Sequence, residues 1–179
     1  MKQKKFSTKD SFLKDSLFLI QQIEEAFKNV YLPPLEKIGE NLWEYDMEII
    51  IAEYWNYHDD WKKISMEVLG TGDELPLFSK EAYPFFLAAY MTSTIKRFYE
   101  DNTMLMYLIY DLTWPVGEKE FFDSHKEKES LLTNKQRFAT KCFLEFVKRY
   151  TDDDEFYSLA EKTLASGIYD NYGKNTLVQ

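Results

Sequence analysis

Apolar residues along the chain recur mainly at steps of three and four, the period at which one face of an α-helix repeats. The step is unbroken through Leu13, Leu17, Ile20, Ile23, Phe27 and Val30. It predicts a helix over residues 11–30, with Gln21, Glu24, Glu25 and Lys28 on the opposite face and Pro33-Pro34 ending it. A second helix is predicted from Asn41, because Asn41 and Glu44 have the spacing of a capping box. It runs through Trp43, Met47, Ile50, Ile51 and Tyr54. The β-branched triplet Ile49-Ile50-Ile51 would also suit a short strand, but the flanking period favours the helix. Beyond residues 56–60, a short helix carries Trp61, Ile64, Val68 and Leu69, and Gly70-Thr71-Gly72 stops it.

In the second half, Ser79 opens a turn into a helix that tolerates Pro84 in its first turn and reaches about Tyr99. Its predicted inner face is Leu87, Met91, Ile95 and Phe98. The next helix starts at Asn102 or Thr103, buries Leu105, Leu108, Ile109 and Leu112, and ends at Pro115 and Gly117. Residues 117–130 are charged and aperiodic, which predicts a surface loop or frayed helix. Thr133 with Gln136, and Asp152 with Glu155, give two more capping-box signatures. The first leads into Ala139, Phe143, Phe146, Val147 and Tyr150; the second leads into Phe156, Leu159, Thr163 and Leu164. The sum is an all-α fold, one compact domain of six or seven helices over residues 11–173. Residues 1–10 are expected to be a polar tail and residues 174–179 a C-terminal tail.

Composition narrows the class. With 179 residues the chain can bury a core without disulfide or metal support. Aromatics are abundant at 4 Trp, 13 Tyr and 14 Phe, enough to build most of that core or to line a groove. The formal net charge is −9, which disfavours nucleic acid and anionic lipid as partners. The one dense basic stretch, Lys2, Lys4, Lys5 and Lys9, reads as a solvated tail. Cys142 is the only cysteine, so no internal disulfide is expected and a reducing compartment is. Residues 1–9 are too polar for a signal peptide, and the longest apolar run, residues 83–91, falls far short of a membrane span. Together these point to a cytoplasmic protein with no membrane association.

Candidate chemistry concentrates in Glu53-Tyr54-Trp55-Asn56-Tyr57-His58-Asp59-Asp60-Trp61. One reading is a metal or acid–base site on Glu53, His58, Asp59 and Asp60. Its spacing is poor, because a helical metal site wants ligands three or four residues apart on one face. The plainer reading is a helical corner in which Asp59 or Asp60 caps the turn holding Trp61. Glu40, Glu44 and Glu48 recur every four residues as a solvated acidic stripe, and His125 reads as an exposed loop histidine. Asp152-Asp153-Asp154-Glu155 lacks the alternating spacing and glycine of a calcium loop, and suits a helix N-terminus instead. Cys142 sits on a helix beside an apolar face and reads as packing rather than a nucleophile. Phosphate loops, dinucleotide fingerprints, nucleophile elbows and Cys-x-x-Cys pairs are all missing. No cofactor is implied.

Several short segments together carry a resemblance. They are Glu24-Glu25-Ala26-Phe27, Glu53-Tyr54, Trp61, Phe85-Phe86-Leu87-Ala88-Ala89-Tyr90-Met91, Leu132-Thr133 with Gln136, and Phe143-Leu144. In this order they resemble a family of small bacterial proteins known only as a domain of unknown function, over roughly residues 20–148. The family's middle motif reads Phe-Tyr-Leu-Pro-Ala-Tyr; here Ala88 replaces its proline, and Glu53 replaces an aspartate before the tyrosine. The resemblance implies a helical bacterial protein and carries no activity or site residues.

The expectation from these residues is a non-enzymatic acidic interaction module, immunity-like or antitoxin-like, that covers a basic surface of another protein. Interfaces draw anchors from Trp and Tyr, and complementary charge speeds association. Trp55, Tyr57, Asp59, Asp60 and Trp61 are the expected contact residues. The alternatives are a metal-dependent enzyme using Glu53, His58, Asp59 or Asp60, and a small-molecule sensor with a pocket lined by Phe and Tyr.

Overall fold

The computed structural model describes residues 9–39, 44–70, 75–100, 102–113 and 127–169. The described residues are all-α with no strand. The helices are α1 (Lys9–Phe27), α2 (Glu44–Tyr57), α3 (Met66–Leu69), α4 (Tyr83–Lys96), α5 (Asn102–Leu112), α6 (Asn134–Tyr150) and α7 (Asp154–Ala165). Short 3-10 turns at Leu35–Lys37, Trp61–Lys63 and Leu75–Leu77 link them, and residues 127–130 form a further helical turn. Six of the helices run to eleven residues or more, in line with the expected six or seven.

Helix α4 is the centre. Every residue from 83 to 92 is buried, as are Thr94 and Ile95, whereas the sequence pattern predicts a single inner face. A helix apolar on all sides is stable only when others surround it. Here α1, α3 and α5 pack on it, together with the 3-10 turns at Trp61–Lys63 and Leu75–Leu77. Helix α6 lies against α1 and α7, and α7 reaches α5. Ser79 starts α4 as expected: its hydroxyl accepts from Ala82 N–H at 3.1 Å, and Pro84 occupies the first turn.

Among the described residues, most aromatic side chains are core. Tyr57, Tyr83, Tyr90, Phe27, Phe78, Phe85, Phe86 and Phe143 are among the largest fully buried side chains. Phe78 and Phe86 stack with ring centroids 3.7 Å apart, and Phe12, Phe98, Phe146 and Tyr150 form a second ring cluster between α1, α6 and the end of α4. Each buried phenol finds an acceptor, as its desolvation requires. Tyr57 donates to Ile50 O at 3.1 Å and Tyr90 to Leu69 O at 2.8 Å.

Several predicted details change. Helix α1 begins at Lys9, inside the expected tail, and turns Ser16, Leu19, Ile23 and Phe27 inward. Leu13 and Leu17, placed on the inner face by their period, are exposed. The segment is apolar at 12, 13, 17, 18, 19, 20 and 23, so period alone leaves its rotation open; packing against α4 and α6 selects it. Ile49-Ile50-Ile51 is helical, and the predicted cap at Asn41 lies outside the described residues. The single helix expected around Trp61 is instead a 3-10 turn followed by α3, because the backbone leaves helical geometry at Ile64 (ψ 128°) and Ser65 caps α3 by accepting from Val68 N–H at 3.3 Å. Gly70 closes α3 at φ 54°, a left-handed value that favours glycine. Helix α7 is capped by Asp153 rather than Asp152: one Asp153 oxygen accepts from Glu155 and Phe156 N–H. The Thr133–Gln136 capping box forms as predicted, with both reciprocal bonds present.

Candidate interaction surface

Helix α2 presents an exposed face at helical spacing. Glu48, Ile51, Ala52 and Trp55 are all exposed, and Asp59 follows, exposed, in the turn after the helix. The opposite face enters the core through Ile50, Tyr54 and Tyr57. Trp55 stands out at 75% exposed, the highest value among the large hydrophobic residues described. Its ring meets the edges of two others: Tyr54 at 5.1 Å and 87°, and His58 at 5.2 Å and 74°. Tyr54 and His58 stack on each other at 5.2 Å. The indole therefore rests against a stacked pair of rings while most of its area faces solvent.

The corner beneath it is fixed from several sides. Leu32 N–H donates to His58 O at 3.1 Å, which brings exposed Tyr31 towards the end of α2. Trp61 is buried, and its indole N–H donates to Phe27 O at 3.2 Å. Asp60 caps the 3-10 turn by accepting from Lys62 N–H at 3.1 Å, the role expected for Asp59 or Asp60. Asp59 accepts from Lys63 Nζ at 3.0 Å, and that bond holds its carboxyl below the usual range.

The five expected contact residues thus divide. Trp55 and Asp59 are exposed and Asp60 is half-buried, but Tyr57 and Trp61 belong to the core and offer no contact surface. The sequence pattern could not separate Trp55 from Trp61, since both follow apolar neighbours at helical spacing. The four residues of the metal reading are not assembled into a ligand set either. Asp59 and Asp60 serve Lys63 and the turn, and Glu53 is half-buried on another side of α2. Among the described residues, no three His, Cys, Asp or Glu side chains form a group that could hold a metal ion. His58 Nδ1 is covered and makes no hydrogen bond among the described residues. Cys142 is half-buried, and burial pushes its thiol up, away from nucleophilic thiolate. His125 lies outside the described residues, as does Glu40.

A second polar cluster was not anticipated. Tyr83 donates to Asp111 Oδ2 at 2.8 Å, and Tyr169 donates to Glu129 Oε1 at 2.9 Å. Lys128 donates to Pro76 O and lies over the Tyr83 ring, 5.6 Å from its centroid. All five side chains are buried. Lys128 and Glu129 fall in the stretch predicted to be a surface loop or frayed helix; residues 127–130 are a helical turn, and the two side chains are buried in it rather than at the surface. Burial, and then the Asp111 charge, raise Tyr83 well above the ordinary tyrosine range; burial, and then Glu129, do the same for Tyr169. Burial lowers Lys128. Arg137 secures the same turn by donating to Leu132 O and Glu129 O at 3.1 and 3.0 Å. The cluster binds the start of α4, the end of α5, residues 127–130 and the end of the described chain into one clamp. Only the charges inside an otherwise aperiodic stretch hinted at it.

The fold and this surface define an all-helical protein with an apolar, acid-flanked helix face. A family profile described as "Family of unknown function (DUF6714)" matches residues 15–166, and the chain belongs to that family. The comparison with curated proteins returns no match, and neither does that with solved structures. No helix among the described residues is long and apolar enough to cross a membrane.

Proposed function

We propose that the protein is a non-enzymatic interaction module that engages a basic protein partner through the exposed face of α2. The observation that carries the reading is Trp55, 75% exposed on α2 and braced by Tyr54 and His58. A large aromatic held in one orientation loses little freedom on binding, which is why such residues anchor interfaces. The net charge of −9 supplies the complementary field for a basic partner. Glu48 and Asp59 place carboxylates at either end of the apolar strip. An immunity-like or antitoxin-like role, masking a basic protein in a reducing cytoplasm, fits this surface.

The test is affinity purification from the native host with two baits, the natural protein and Trp55→Ala, each at low and high salt. The reading expects a basic protein recovered at near-equal molar amount with the natural bait, diminished by salt and by the substitution. Recovery of the same proteins with both baits would remove Trp55 from the account.

A further inference from the structure

We infer that the element seated on this face is itself an amphipathic α-helix, flanked by lysine or arginine and lying along α2. The inference rests on the interaction reading and adds the shape and chemistry of what binds. The strip is linear. Ile51 and Ala52 lie three and four residues after Glu48, Trp55 lies four and three after them, and Asp59 is next in the turn. From Glu48 to Asp59 it spans roughly 16 Å, at about 1.5 Å per residue. Its apolar part, Ile51 to Trp55, covers about one turn, and with the flanking carboxylates the strip matches about three turns of a second helix, which meets such a surface through residues at i, i+3, i+4 and i+7.

Local relief agrees with a helix. Ala52 is a low point between Ile51 and Trp55, so a partner ridge can approach closely there while Trp55 covers its far side. The carboxylates lie at the ends of the strip rather than within it. That arrangement calls for a partner whose apolar residues are central and whose cations flank them. Asp59 already pairs with Lys63, but both side chains are more than half exposed, and solvent screening leaves such a pair open to exchange for a partner's cation. The exposed indole of Trp55, four residues before Asp59, offers that cation a second contact.

Other recognition modes fit less well. Strand addition needs a free sheet edge, and the described residues contain no strand. A polyproline ligand docks between several exposed aromatic rings, whereas Tyr54 is buried and its hydroxyl turns to Pro33 O, leaving Trp55 as the one exposed ring of α2 among the described side chains.

The test is a display library of random 18-residue peptides selected against the full chain, with enriched peptides re-measured on Trp55→Ala and on Glu48→Lys. The expected winners carry apolar residues at helical spacing with flanking Lys or Arg. They gain helicity on binding by circular dichroism, and they lose at least tenfold in affinity on Trp55→Ala. Basic winners that depend on Trp55 but show no helical period, or that contain proline within the apolar stretch, would overturn the helix inference while leaving the α2 face as a docking site. Winners indifferent to Trp55→Ala, or no enrichment at all, would overturn both. Thermal unfolding of each variant confirms that a lost interaction is not lost folding.

Discussion

The indole N–H of Trp61 donates to the carbonyl of Phe27 at 3.2 Å, joining the turn after α2 to the end of α1. Both residues are buried. This bond sets the corner from which α2 projects, and so places Trp55 on the outside while Trp61, six residues later, is committed to the core. The two tryptophans are therefore expected to respond oppositely to substitution.

Trp61→Phe keeps most of the apolar contact but removes one of two donors to the Phe27 carbonyl, which keeps Val30 N–H at 3.1 Å. Losing one such hydrogen bond costs about 0.5–1.5 kcal/mol, and urea unfolding should show a loss in that range. Trp55→Ala, in contrast, should change stability by no more than about 0.5 kcal/mol, as is usual for surface positions. Equal destabilisation by the two would mean that the corner does not divide them this way.

The clamp at the other end of the core predicts an alkaline limit. Tyr83 and Tyr169 are both held above the ordinary range by burial and a neighbouring carboxylate, and Tyr57 is raised by burial and then by Glu53. Below about pH 10, the unperturbed tyrosine value, folded and unfolded chains both keep these protons and the stabilisation is complete. As pH rises further the unfolded chain ionises first, so stability falls as pH climbs towards the folded-state values. Lys128 works in the opposite sense: its lowered value imposes a cost at neutral pH that eases as pH rises towards the usual lysine range. Three raised tyrosines outweigh one lysine. Tyrosinate absorbance followed with circular dichroism should show a delayed group of phenols ionising together with helix loss. Titration of every tyrosine in the ordinary range with helix intact would contradict the clamp.

The Thr133–Gln136 capping box gives a smaller effect. Thr133→Ala removes the acceptor for Gln136 N–H at the start of α6 and should cost about 1 kcal/mol. Thr133→Ser should restore most of it. Denaturant unfolding of the pair separates capping from a general packing change.

Partner binding should weaken as salt rises, because complementary charge is screened within about 8–10 Å at ordinary ionic strength. Glu48→Lys should slow association more than it speeds dissociation, the usual behaviour of a charge at an interface rim. Surface plasmon resonance with the recovered partner reads both rates.

Much of the fold was legible in the sequence because helical period, proline breaks and capping boxes are local signals. The Thr133–Gln136 box and the Ser79–Pro84 start needed no tertiary information. Rotation was less legible: α1 offers apolar residues on too many sides, and only contact with α4 and α6 turns Leu13 and Leu17 outward. The candidate site was half legible. Composition marked the stretch around Trp55, but whether an aromatic faces core or solvent depends on the corner made by Trp61 and Phe27, residues 34 positions apart. The buried partnerships of Asp111 with Tyr83 and Glu129 with Tyr169 span 28 and 40 positions and leave no local signature.

The most direct measurement is the affinity of the recovered basic partner for the natural protein and for Trp55→Ala, by calorimetry at one fixed salt concentration. The account predicts a loss of at least tenfold, about 1.4 kcal/mol, with thermal unfolding unchanged. Affinities within twofold of each other would contradict it, and would move the docking surface away from α2.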